Sequence, residues 1–235
     1  MTISIMQPGY LPWLGFFELM ENCNLFVFLD DVQYTKKDWR NRNRIRTQDE
    51  WIWLTVPVLS KGRNKQLIKD AEIDNSCGWS KGHLSALKIN YANASYYRDY
   101  IGFLEDIYRC KWRYIADLDM EIISFLNSQF HISTPTIKSS SLCVVGYTGN
   151  MRILEICRRL EVDRLYDSAG ARTFIDLKLF GDSGIRVVFQ EYFHPVYSQV
   201  YQPFLPYMSA VDLLFNEGPE SKNIILSGSR FSKSA

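Results

Sequence analysis

Short, uniformly apolar runs alternate along the chain with longer stretches whose apolar positions recur three and four apart. Residues 2–6 (TISIM) form an apolar run that ends in Gln7-Pro8-Gly9, which predicts a buried strand and then a turn. Residues 11–21 mix apolar and acidic positions and predict a helix starting near Pro12, since proline is tolerated in a first turn. Residues 25–29 (LFVFL) are too short and too apolar for a surface helix, so they predict a central strand covered on both faces. Strand, helix, buried strand is the opening of a βαβ unit. Residues 51–58 (WIWLTVPV) and 67–73 predict two more strands, with Pro57 leaving one side of the first unpaired.

From residue 79 to about 131 the period becomes helical, predicting an insertion of two or three helices between strands. The alternation then resumes. Strands are expected at 136–145, 164–166 and 185–189, and helices at 150–160, 174–180 and 208–216, the last stopped by Gly218-Pro219. Residues 226–235 predict a frayed tail. The fold expected is a single α/β domain over 1–235, with a mostly parallel, doubly wound, Rossmann-like sheet.

Composition changes this picture little. A net charge of +1 excludes a chain built as a whole to hold a polyanion. Five cysteines without CxxC spacing predict free thiols in a reducing compartment, and no metal-ligand pattern appears. No leader-like start and no long apolar run is present, so a cytoplasmic chain without a membrane span is expected. Neither GxGxxG nor GxxxxGK[ST] occurs, which argues against a Walker-type NTPase and leaves any cofactor unidentified.

Candidate chemistry collects where such sheets bind ligands, past the carboxyl ends of the strands. Gln7, Pro8 and Tyr10 follow the first strand, and Asp30, Asp31 and Gln33 follow the second. Asp167, Ser168, Gly170 and Arg172 follow the strand at 164–166. Gln190, Glu191, Tyr192 and His194 follow the strand at 185–189. The stretch 36–46 carries six cations, with Arg40, Asn41, Arg42, Asn43 and Arg44 at its heart and Trp39 among them. Guanidinium forks hold phosphates and amides read flat polar edges, so the stretch suits a phosphate-bearing ligand.

Several blocks together resemble the WbqC-like protein family. They are residues 7–15 (QPGYLPWLG), 28–33 (FLDDVQ), 39–45 (WRNRNRI) and 53–58 (WLTVPV). Further on come Gly184-Ile185, His194-Pro195-x-Tyr197-x-Gln199, Phe204-x-Pro206 and 212–218 (DLLFNEG). The resemblance implies a role in bacterial surface polysaccharide biosynthesis, including O-antigen and amino-sugar pathways. It adds Trp13, Tyr197 and Gln199 to the expected substrate-binding residues.

The leading expectation is an acyl or aminoacyl transferase that forms an amide on a nucleotide-linked amino sugar, with a tRNA or coenzyme A thioester as donor. Asp30, Asp31 or His194 would be the base, and Tyr10, Gln7 or Arg172 would polarise the oxyanion. A nucleotidyltransferase with magnesium on Asp30 and Asp31, and a non-catalytic nucleotide-sugar-binding protein, are the alternatives.

Overall fold

A computed structural model describes residues 1–63 and 65–231. In chain order its elements are β1 (Thr2–Met6), α1 (Leu14–Glu21), β2 (Leu25–Phe28), β3 (Arg42–Arg46), β4 (Trp51–Thr55) and α2 (Trp79–Tyr91). They continue with α3 (Tyr97–Arg109), α4 (Ile115–Gln129), β5 (Thr136–Lys138), α5 (Gly149–Arg159) and β6 (Arg164–Asp167). The last are α6 (Leu177–Asp182), β7 (Arg186–Phe189), α7 (Ala210–Glu217) and α8 (Ser221–Ser227). Five strands make one sheet in the order β5-β2-β1-β6-β7, every pair parallel. Counted in chain order within this sheet, that is 3-2-1-4-5, the doubly wound arrangement in which the direction of winding reverses between the first and fourth strands.

Alternation along the strands divides two cores. Ile3 and Ile5 of β1, Val27 of β2 and Leu165 of β6 face one layer with Leu154, Ile156 and Cys157 of α5 and Phe180 of α6. Phe26 and Phe28 of β2 and Tyr166 of β6 face the other, with α1, α4 and α7. Both faces of β2 are therefore covered, which is why its sequence reads as an unbroken apolar run.

A second sheet is an antiparallel hairpin of β3 and β4. The strand expected at 51–58 is present as β4 over 51–55, outside the main sheet, and the basic stretch, which sequence left without an element, is its partner strand. Alternation gives β3 one polar and one cationic face: Asn41, Asn43 and Ile45 are buried, while Arg42 and Arg44 are half-buried on the opposite side with Trp51 and Trp53. Residues 67–73 form a 3-10 turn at Ile68–Asp70 and single bridges at Leu67 and Ile73 instead of a strand. The insertion contains three helices, α2 to α4, as its period predicts. Of the expected fraying tail, Leu226 and Ser227 close α8, Tyr192 bridges Ser229, and Phe231 stacks on Tyr166 at 4.0 Å. The rest of that tail, 232–235, lies outside the described residues. Among the described residues no helix is long and apolar enough to cross a membrane.

The loop 197–207 is held by one fully buried carboxylate. Asp212 of α7 accepts from the hydroxyls of Tyr91 (2.8 Å) and Tyr197 (2.7 Å) and from Gln199 Nε2 (2.8 Å). Gln199 also pairs with both backbone groups of Leu205. Tyr197 and Gln199, expected to bind substrate, are bonded here to Asp212 and do not line the cleft at the switch point; a buried carboxylate needs donors at each oxygen. Removing the Tyr197 hydroxyl leaves that acceptor short by one bond. Tyr197→Phe should lower unfolding stability by about 1–2 kcal/mol in urea titration, with an unchanged m-value.

Candidate functional site at the switch point

β1 and β6 are paired only at Thr2↔Arg164 and Ile3↔Leu165, although both strands run on past that point. Their carboxyl ends part, and a cleft of about 630 Å³ opens there. Gln7, Pro8 and Gly9 line it after β1, and Asp167, Ser168 and Gly170 line it at the end of β6. Trp13, Trp39, Phe174 and Tyr207 supply rings, and Arg40, Asn43 and Arg44 supply cations and an amide from the hairpin side.

The loop from β1 into α1 is shaped for this. Trp13 lies against the first turn of α1, and a Cβ on Gly15 would sit 2.3 Å from its ring, so only glycine fits beneath the indole. Leu11, fully buried, has φ 47°, and Tyr207 at the cleft has φ 61°. Such left-handed conformations cost a non-glycine residue about 1–3 kcal/mol and persist only where neighbours hold them. Two successive β3 residues do so from opposite faces: Asn43 Nδ2 donates to the Leu11 carbonyl (2.7 Å), and an Arg44 Nη donates to that of Tyr207 (3.1 Å).

Asp167 is the one carboxylate lining the cleft among the described residues. It is 5% exposed, and one carboxylate oxygen accepts from the backbone N–H of Ser168 at 2.7 Å. Burial pushes its carboxyl up from 3.8 to about 6, the Ser168 contacts opposing this in part. Close to neutrality a carboxylate can take a proton and return it. Gln7 Oε1 is buried at the cleft with no partner, an acceptor free for a ligand's N–H or O–H. Burial also lowers the Arg44 guanidinium, and that of Arg40, which is paired with Asp38.

Of the residues singled out by sequence, Gln7, Pro8, Trp13, Arg40, Asn43, Arg44, Ser168 and Gly170 meet at this cleft. The carboxylate pair lies elsewhere. β2 is separated from the switch point by β1, so its carboxyl end meets β5. There Asp30 accepts from Ser139 Oγ (3.2 Å) and from the backbone N–H (2.9 Å) and hydroxyl (2.7 Å) of Ser140. Asp31 is ion-paired with Arg152 at 2.5 Å and accepts from Ser139. Both anchor the β5–α5 connection. Tyr10 is fully buried against α2 and α3, hydrogen-bonded to Tyr108 and to His83 Nδ1 (2.8 Å), and its hydroxyl is raised by burial.

Gln33 bridges Leu67, Asn41 holds the Val56 carbonyl, and Arg172 pairs with Glu191 at 3.3 Å over the ring of Phe189. Arg42 lies beside the cleft, over the Trp53 ring at 4.2 Å. Tyr192 packs edge-on to Trp13, and His194 stacks on Trp13 and meets Tyr207, one ring behind the cleft wall. Its Nδ1 is 2.8 Å from the Pro195 carbonyl, and burial lowers its pKa. Sequence reasoning noticed Asp167 as a strand-end residue without giving it a role, and passed over Phe174 and Tyr207. The signal that marks Asp167 is an acid directly after two consecutive ring or aliphatic positions (Leu165-Tyr166) at a strand end.

A doubly wound α/β protein with an aromatic and cationic switch-point cleft is the class that these features define. The chain belongs to the WbqC-like protein family, whose model matches residues 7–224. It is 34% identical over 226 residues to Rv1507c of Mycobacterium tuberculosis, described as an uncharacterized protein, covering 95% of this chain and 96% of that one. No solved structure matches the chain.

The raised Asp167 pKa has a consequence for stability. The folded state holds this proton more tightly than the unfolded chain, where the carboxyl titrates near 3.8. Its contribution is fully present below that value and is lost as pH rises through about 6. Asp167→Asn should therefore be more stable than the parent at pH 8 by about 2 kcal/mol in urea titration, and should lose that advantage at pH 4.

Proposed function

We propose that the protein, as a single cytoplasmic α/β domain, transfers an acyl or aminoacyl group to the amine of a nucleotide-linked amino sugar, forming an amide during synthesis of a bacterial surface polysaccharide such as O-antigen. Family membership supports a role related to polysaccharide biosynthesis. The observation that carries the transfer reading is Asp167: a buried carboxylate with its pKa near 6, at a switch point, beside rings and guanidinium groups.

The cleft volume is within the range of about 300–1,000 Å³ that small-molecule sites occupy. In this reading Arg40 and Arg44 hold the diphosphate, and Trp13, Phe174 and Tyr207 pack against the sugar and base faces. The neutral amine attacks the donor's carbonyl carbon and a C–N bond forms. Asp167 takes the proton that the nitrogen must lose, and Gln7 Oε1 can accept from the amine's other N–H and orient it for attack. Collapse breaks the bond to the donor's thiol or hydroxyl, and Asp167 returns the proton to that leaving group. The base expected at Asp30, Asp31 or His194 is assigned here instead, because every oxygen of the carboxylate pair faces a serine or Arg152 and His194 does not line the cleft. Nucleotidyl transfer, which would need those carboxylates for magnesium, has no observation in its favour.

Turnover should fall below about pH 6 as Asp167 protonates, in addition to the loss caused by protonation of the substrate amine, and the Asp167 ionisation should be missing from the profile of binding alone. Asp167→Asn should lose at least about 100-fold in kcat while still binding a UDP-linked amino sugar, read by thermal shift. Full turnover in this variant would refute the base assignment, and tight sugar-nucleotide binding without any transfer would favour the binding-protein alternative.

A further inference from the structure

From the rim of the cleft, where Trp39 and Arg44 line it, a face of alternating cations and indoles runs outward over β3 and β4 to Arg42, Trp53 and Trp51. The Arg42 guanidinium lies 4.2 Å from the centroid of Trp53. That of Arg44 lies 5.1 Å from Trp51 and 5.8 Å from both Trp39 and Trp53. The indoles touch in series, Trp39 to Trp53 and Trp53 to Trp51, each pair 5.4 Å apart. Trp39 is 49% exposed.

Among the described residues neither Arg42 nor Arg44 has a carboxylate within ion-pair distance, whereas the neighbouring Arg40 is paired with Asp38. The Nε atoms of Arg42 and Arg44 are buried without a partner. The register explains the construction. Alternation puts Arg42, Arg44 and Arg46 on one side of β3, facing Thr55, Trp53 and Trp51 of β4. Arg46 at one end is roofed by the Pro203 carbonyl and fully buried, which fixes the strand and leaves the Arg42 end open. Two guanidinium groups stacked on indoles and short of counter-charge suit a ligand with anionic oxygens next to a flat ring.

We propose that this ledge binds the nucleotide handle of the acyl donor: a nucleobase stacked on Trp39, at the rim shared with the sugar-nucleotide cleft, and its phosphate held by Arg42, which does not line that cleft. The donor's identity rests on the transfer reading above; the nucleotide-binding ledge does not. A base-plus-phosphate handle occurs both in coenzyme A and at the 3′ end of a charged tRNA. The two sources differ in the phosphates that accompany the base: a 3′-phosphate in the first, a short run of phosphodiesters in the second.

The probes are adenosine 3′,5′-bisphosphate and the trinucleotide pCpCpA, titrated against the full chain by tryptophan fluorescence quenching over a salt series. At least one should quench at sub-millimolar concentration. Arg42→Gln should weaken it about tenfold, and Arg42→Lys should recover only part of this, since an ammonium lacks the stacked fork. For pCpCpA the slope of log K against log salt should become shallower by about 0.7 in Arg42→Gln, one phosphate contact fewer on a single strand.

The tighter probe identifies the source. UDP-glucosamine, which belongs to the cleft, should bind Arg42→Gln as it binds the parent and should not displace either probe. Absence of quenching by both probes, or equal affinity in Arg42→Gln, would overturn the ledge while leaving the cleft reading intact. Failure of UDP-glucosamine to bind, with the probes still sensitive to Arg42, would overturn the cleft reading and keep the ledge. Displacement of the probes by UDP-glucosamine would mean a single site and would overturn the ledge as a separate one.

Discussion

A carboxylate that never touches the cleft holds its two halves in place. Glu18 of α1 is fully buried and accepts from the Tyr166 hydroxyl of β6 (2.8 Å), from Gln190 just past β7 (2.5 Å), from Asn22 and from Ser229. The first βα unit and the last two strands lie on either side of the switch point, where backbone pairing between β1 and β6 gives out after two residues. Glu18 ties them together where the sheet cannot. A buried charge left without donors would cost several kcal/mol, on the order of 3–5, so the four partners are committed to it and to one spacing of the strands. Gln190 extends the tie by also donating to the Gly15 carbonyl at 2.7 Å, below the turn that seats Trp13.

The same device recurs. Asp212 gathers Tyr91, Tyr197 and Gln199, and Asp30 gathers Ser139 and Ser140. In each case a buried acid organises a loop whose backbone has no sheet to join. Asp167 is distinct in its place: it is buried like the others but has the cleft on one side, and its donors come from Ser168 alone among the contacts that shift it. The anchoring acids are satisfied, and Asp119 of α4, fully buried with neither oxygen partnered, does not line the cleft; Asp167 is the buried acid that a molecule in the cleft can reach.

The fold was legible from period alone where an element's burial is one-sided or complete. Apolar β2 and the amphipathic helices were placed within a few residues, and the parallel, doubly wound architecture followed from strand–helix alternation. The hairpin was not legible, because β3 (RNRIR) has charge on one face and buried amides on the other, and neither looks apolar. The site was legible only as a set of strand ends. Sequence says which residues follow a strand, but not which two strands part, so Asp30 and Asp31 at a strand beside β5 looked equivalent to Asp167. Glu18, one acidic position in a mixed helix, carries no mark of burial at all.

The most direct test is an NMR titration of the Asp167 side-chain carboxyl, with and without UDP-glucosamine. The account predicts a midpoint near 6 in the free protein, shifted when the sugar nucleotide occupies the cleft. A midpoint near the ordinary 3.8, unmoved by saturating ligand, would contradict it.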